Sequence, residues 1–109
     1  MRKARLESMV RGWIVGNFTP SLYQTNDVEF AVQSYKAGAY EEWHYHKIAT
    51  EITVIVVGEA EMAGQRYTSG DILVIESGEE TDFKAITDVI TAVVKIPGAN
   101  NDKYVRGAN

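Results

Sequence analysis

From Val28 onward the chain reads as short extended segments separated by turn residues. Val28, Phe30 and Val32 alternate with Glu29, and Gln33 and Tyr35 follow, the two-residue period of a strand with one face covered. Residues 39–46, rich in Tyr and Trp, predict a second strand. Residues 52–57 (Ile-Thr-Val-Ile-Val-Val) are almost wholly β-branched, and two apolar faces imply burial on both, inside a sandwich or at a subunit contact. Gly58 and Gly64 punctuate a hairpin over 59–63 and 65–68. Ser69-Gly70-Asp71 turns into the apolar run 72–75, and Ser77-Gly78-Glu79 turns again before segments 81–86 and 89–96. Pro97-Gly98 ends the series. Upstream, Trp13-Ile14-Val15 reads as an edge strand, residues 17–27 as a loop, and only residues 3–10 suggest a helical turn. About eight or nine short strands at such spacing predict an all-β sandwich or barrel.

The chain has 109 residues, which suits one domain over 1–109: an arm, edge strand and loop (1–27), a barrel (28–97) and a C-terminal tail (98–109). With 45% hydrophobic and 10% aromatic residues it can build a core. The absence of cysteine excludes a disulfide scaffold, an iron–sulfur cluster and a cysteine nucleophile, and restricts any metal site to nitrogen and oxygen donors. A net charge of −4 argues against nucleic-acid binding, which needs a basic face. No run approaches the ~18–20 apolar residues of a membrane span. The basic start (Arg2, Lys3, Arg5) has no apolar stretch behind it to make a secretory signal, so a cytoplasmic protein is expected. Together with Arg11 these cations read as a solvated arm.

The two histidines, His44 and His46, stand two apart. On a strand they share a face, and a turn over 47–50 would bring Glu51 beside them from an antiparallel neighbour. Two imidazoles and one carboxylate suit Fe, Mn, Ni or Zn and leave positions open for substrate. Strand parity then turns Tyr40 and Glu42 inward with the histidines, and Thr53 and Ile55 inward with Glu51. Tyr40 is thus a candidate acid or anion donor and Glu42 a candidate general base, against the plainer reading of a packed tyrosine and a solvated rim carboxylate. Arg66 and Lys84 read as anion anchors or as exposed charges. The acidic cluster Glu76, Glu79, Glu80 and Asp82 reads as a solvated turn. Trp13 and Phe18 are expected to cover a barrel edge or pack across a dimer, ahead of lining the pocket.

Gly38, five residues, His44, one residue, His46, four residues, Glu51, six residues and Gly58 resembles the first motif of the cupin superfamily at every defined position. Gly70 and Gly78 resemble the second motif, with Glu76 where that motif has proline. Thr81 stands where it has a third histidine, and Ala85 where it sometimes has asparagine. If Thr81 faces the pocket, so does Phe83. The resemblance implies a small single-domain jelly-roll barrel, commonly a homodimer, with a divalent metal on His44, His46 and Glu51. It points first to a metal-dependent enzyme of oxygenase or isomerase type on a small polar metabolite. The alternatives are a non-catalytic sugar-binding, metabolite-binding or sensor cupin, and a structural dimeric barrel with an unused site.

Overall fold

The computed structural model describes residues 1–107. Its strands are β1 (Trp13–Val15), β2 (Glu29–Tyr35), β3 (Tyr40–Tyr45), β4 (Thr50–Val57), β5 (Glu59–Met62), β6 (Gln65–Thr68), β7 (Ile72–Ile75), β8 (Thr81–Ala85), β9 (Val89–Ile96) and β10 (Tyr104–Val105). They pair antiparallel in two five-stranded sheets, β1-β2-β9-β4-β7 and β10-β3-β8-β5-β6. The predicted helical turn is realised as two short 3-10 segments, Leu6–Ser8 and Val10–Gly12. The all-β sandwich expected from the strand series, and the jelly roll implied by the resemblance, are the fold observed.

The inner faces divide by chemistry. At one end Ile55, Met62, Ile75, Phe83 and Val89 pack with Ala60 and Ala85, and Tyr35 and Leu73 close over them. Fully burying one such aliphatic side chain contributes about 1.5–3 kcal/mol. At the other end the inner face is polar: Glu29, His44, His46, Thr53, Thr81 and Thr91 are all buried. This explains a departure in β2. Its covered face is the one bearing Glu29, Ala31, Gln33 and Tyr35, while Phe30 and Val32 lie half-buried outside. The polar residues of β2 therefore line the interior, and its apolar ones belong to the outer sheet surface.

That outer surface also corrects the expectation that residues 52–57 are buried on both faces. Thr53 and Ile55 point inward, but Ile72 and Val74 of the adjoining β7 are 66% and 54% exposed, and Val56 and Ile96 are also exposed. Within one chain the sandwich covers a single face of this sheet. Gly58 makes the tight passage from β4 to β5 with φ of 101°, and a Cβ there would collide with the Asp88 carbonyl oxygen.

Residues 98–109 were expected as a tail, of which 108 and 109 lie outside the described residues. Instead, Tyr104 pairs with Tyr45 and Val105 with His44, so β10 is an edge strand laid beside β3. Tyr104 stacks on Tyr45 at 5.5 Å, and the Arg106 guanidinium sits 3.9 Å over the Trp43 ring.

Candidate metal centre

Strand β3 carries an irregularity that decides which side chains face the interior. Glu41 pairs with Phe83 and His44 with Thr81, so three steps along β3 match two along β8. This one-residue bulge reverses the parity between Glu41 and His44. Glu41, His44 and His46 line a cavity of about 400 Å³, together with Glu51, Thr53, Thr81 and Phe83. Tyr40 and Glu42, expected inward on unbroken alternation, do not line it. Tyr40 is 55% exposed and its hydroxyl donates to Asp82 Oδ2 at 3.2 Å. Glu42 is exposed, and its contribution is a backbone carbonyl.

Both imidazoles are oriented by the main chain. His44 Nδ1 lies 2.8 Å from the Glu42 carbonyl oxygen, and His46 Nδ1 lies 2.7 Å from the Asp102 carbonyl oxygen. A carbonyl only accepts, so each Nδ1 carries the proton and donates it. In the neutral rings both Nε2 atoms therefore keep a lone pair. The rings stand edge-on with centroids 5.8 Å apart. His46 Nε2 is buried without a hydrogen-bond partner, and Glu51 Oε1 lies 3.3 Å away. Two lone-pair atoms facing each other in a buried place call for a cation or a proton between them.

Glu51 is fixed from its other oxygen, where Thr53 Oγ1 donates to Oε2 at 2.8 Å. Burial pushes the Glu51 carboxyl up. Contact with His46 through a shared proton, the Thr53 hydroxyl and the charge of Lys95 outweigh that and hold it below the usual carboxylate range. Among the described residues, no three His, Cys, Asp or Glu side chains close around one point to form a finished cage. What the chain supplies is an open set of two imidazole nitrogens and a carboxylate, one nitrogen orphaned. Imidazole nitrogen and carboxylate oxygen are donor types that a divalent transition metal takes.

Asp102 was not singled out from the sequence. Its carboxylate accepts the backbone N–H groups of Lys47, Ile48 and Ala49 at 2.9–3.2 Å, fastening the loop between β3 and β4. Burial pushes its carboxyl up, but these three donors prevail and hold it below the usual range. Side chain and carbonyl together tie the loop and His46 to the C-terminal segment.

Tyr35 was read only as part of an alternation, yet its hydroxyl reaches Gln33 Oε1 at 2.9 Å and Glu41 Oε1 at 3.0 Å inside the cavity wall. Burial and the adjacent Glu41 carboxylate push its pKa far above the ordinary tyrosine value. Trp13 and Phe18 line the cavity edge to face, 6.3 Å apart, rather than only covering a barrel edge. Arg66 lies outside, paired with Glu59 at 3.1 Å, and Lys84 is exposed. The acidic cluster is dispersed rather than wholly a solvated turn: Glu79 accepts the Glu76 N–H, Glu80 pairs with Arg106, and Asp82, on β8 and in the cavity lining, accepts the Ala63 N–H.

No family model matches the sequence, and no curated protein matches it. Solved structures do match in fold. An uncharacterized conserved protein with a double-stranded β-helix domain from Klebsiella pneumoniae superposes with a TM-score of 0.68 at 24% identity, covering 74% of this chain and 71% of that one. KdgF from Halomonas sp. gives 0.64 at 22% identity, over 71% and 74% of the two chains. Bacillus subtilis oxalate decarboxylase, a protein with Mn(II) centres, gives 0.62 at 15% identity, over 74% of this chain and 24% of that one. Two antiparallel five-stranded sheets closing around a polar interior, superposable on these proteins, settle the architecture. The chain carries the double-stranded β-helix, or cupin, fold.

Proposed function

We propose that His44, His46 and Glu51 bind a divalent transition metal (Fe, Mn, Ni or Zn), and that the protein is a metal-dependent enzyme acting on a small polar metabolite by oxygenase- or isomerase-type chemistry. The observation that supports this most is His46 Nε2: buried, unpartnered, held by its Nδ1 bond, and facing a carboxylate oxygen. An ion bound there supplies Lewis-acid polarisation of a substrate carbonyl or hydroxyl oxygen. The chain's own residues do the rest. The Glu42 and Asp102 carbonyls hold the imidazoles in the metal-binding tautomer, and Thr53 turns Glu51. Phe83, Trp13 and Phe18 give the cavity apolar walls that limit water around the substrate. Tyr35 keeps its proton through the physiological range and stands as a neutral donor on the wall.

Metal content is the test. Protein purified without tag-derived nickel, stripped with chelator and reloaded, is expected to take up about one equivalent, with His46→Ala and His44→Ala taking up far less. Less than about a tenth of an equivalent of any transition metal, before or after reloading, would sink the reading. Oxygen consumption against a panel of small acids and sugars then separates oxygenase from isomerase.

The working unit in this reading is a homodimer joined through the outer face of the β1-β2-β9-β4-β7 sheet. Phe30, Val54, Ile72, Val74 and Val94 lie on that face with no charged residue among them. A continuous apolar sheet surface of this kind marks an interaction site.

A further inference from the structure

Glu29, Lys95 and Glu51 form one row across the interior of the first sheet, since Lys95 is the register partner of Glu29 on β2 and of Glu51 on β4. All three line the same cavity. Both carboxylates have partners already. Glu29 is buried and accepts the Ala99 N–H at 2.8 Å, and Glu51 accepts the Thr53 hydroxyl and faces His46 Nε2. Lys95 is different. Among the described residues its ammonium makes no ion pair, and it rests 4.8 Å over the face of Trp13. A half-buried ammonium set against an aromatic wall, with its carboxylate neighbours engaged elsewhere, has capacity for an anion brought from outside.

Resting on the metal-binding reading above, we infer that the substrate is a small carboxylate-bearing metabolite whose carboxylate is held by Lys95 against Trp13, with its hydroxyl or carbonyl oxygen toward His44, His46 and Glu51. Charge favours this occupant. Among the described residues the Lys95 ammonium has no ion-pair partner, and an incoming carboxylate supplies one against the Trp13 face. A neutral sugar would leave the Lys95 ammonium without an ion pair. The cavity, at about 400 Å³, admits a ligand of a few to a dozen heavy atoms.

The probe pair is lactate and lactamide, alike in shape and differing in charge. Binding is followed by tryptophan fluorescence and by NMR shifts, in chelator-stripped protein and in protein offered Zn(II). Lactate is expected to bind at least about tenfold tighter than lactamide in both preparations. Lys95→Met is expected to bring lactate down to the lactamide level, with its amide spectrum still that of the folded chain. Lys36→Met removes the same charge at the exterior, where Lys36 meets only Asp88, and is expected to keep the preference. Zn(II) uptake by Lys95→Met should be no weaker than by wild type, which separates an anchor from a metal ligand. Equal binding of the two probes, a preference that survives Lys95→Met, or no lactate binding up to about 50 mM overturns the inference. Failure to take up Zn(II) with the lactate preference intact in stripped protein overturns the metal reading alone.

Discussion

Asp102→Asn offers the sharpest check on how the candidate centre is held. Asp102 is 5% exposed, and its carboxylate answers three consecutive backbone N–H groups. In the asparagine variant the amide oxygen keeps the Lys47 and Ile48 donors without the help of charge, while the amide nitrogen confronts the Ala49 N–H. Ala49 is buried, so that N–H is left unsatisfied at about 1–3 kcal/mol, and weakening the other bonds adds about 1 kcal/mol. A total of about 2–4 kcal/mol corresponds to a Tm lower by roughly 10–25 °C in a chain of this length. The folded-state pKa of Asp102 is depressed. Its stabilisation is therefore complete above the unfolded-chain value of about 3.9 and is lost as pH falls through the lower, folded value. Thermal melts of both proteins should show the full gap at pH 7 and a closing gap in acid. Zn(II) affinity should fall about 10–100-fold, because the same residue's carbonyl sets the His46 ring. A Tm within about 3 °C of wild type at pH 7, or a gap that stays constant into strong acid, would refute the account.

Two further outcomes follow from register and from exposure. Thr81 is buried in the cavity as the direct cross-strand partner of His44, so Thr81→His places a third imidazole about 4.5–5.5 Å from His44 at Cβ. Chelator competition should show at least about tenfold tighter Zn(II) binding, and unchanged or weaker binding would mean that the two histidines do not form a metal site. Ile72→Lys puts a charge on the exposed outer sheet face, where it should cost less than about 0.5 kcal/mol within one chain while shifting the light-scattering mass from dimer to monomer. A wild type that is already monomeric contradicts the proposed interface.

The strand series was legible because two-residue alternation and glycine-bearing turns are local signals. Segments 72–75 and 89–96 coincide with β7 and β9. The placement of His44, His46, Glu51, Thr53, Thr81 and Phe83 around one cavity also followed from spacing and resemblance. Tyr40 and Glu42 went astray for a physical reason: alternation presumes an unbroken ladder, and the bulge opposite Phe83 and Thr81 depends on the partner strand. Asp102 and β10 were illegible because their partners lie more than 50 residues away, and a run of polar turn residues carries no period. The polar inner face of β2 was hidden likewise. Alternation reveals two faces, but which one looks inward depends on what the barrel encloses.

The lacing of His46 to Asp102 orders events during synthesis. Every residue proposed to touch the ion is made by residue 51, and every strand of the enclosing sheets except the edge strand β10 is made by Ile96. Yet the His46 ring gains its orienting carbonyl only when residue 102 arrives, and the 47–49 loop gains its anchor with the same residue. A nascent chain halted at β9 would hold a nearly finished barrel around a loosely set imidazole. Metal capture would then lag behind folding, so an ion held tightly would certify that the chain had been made through β10.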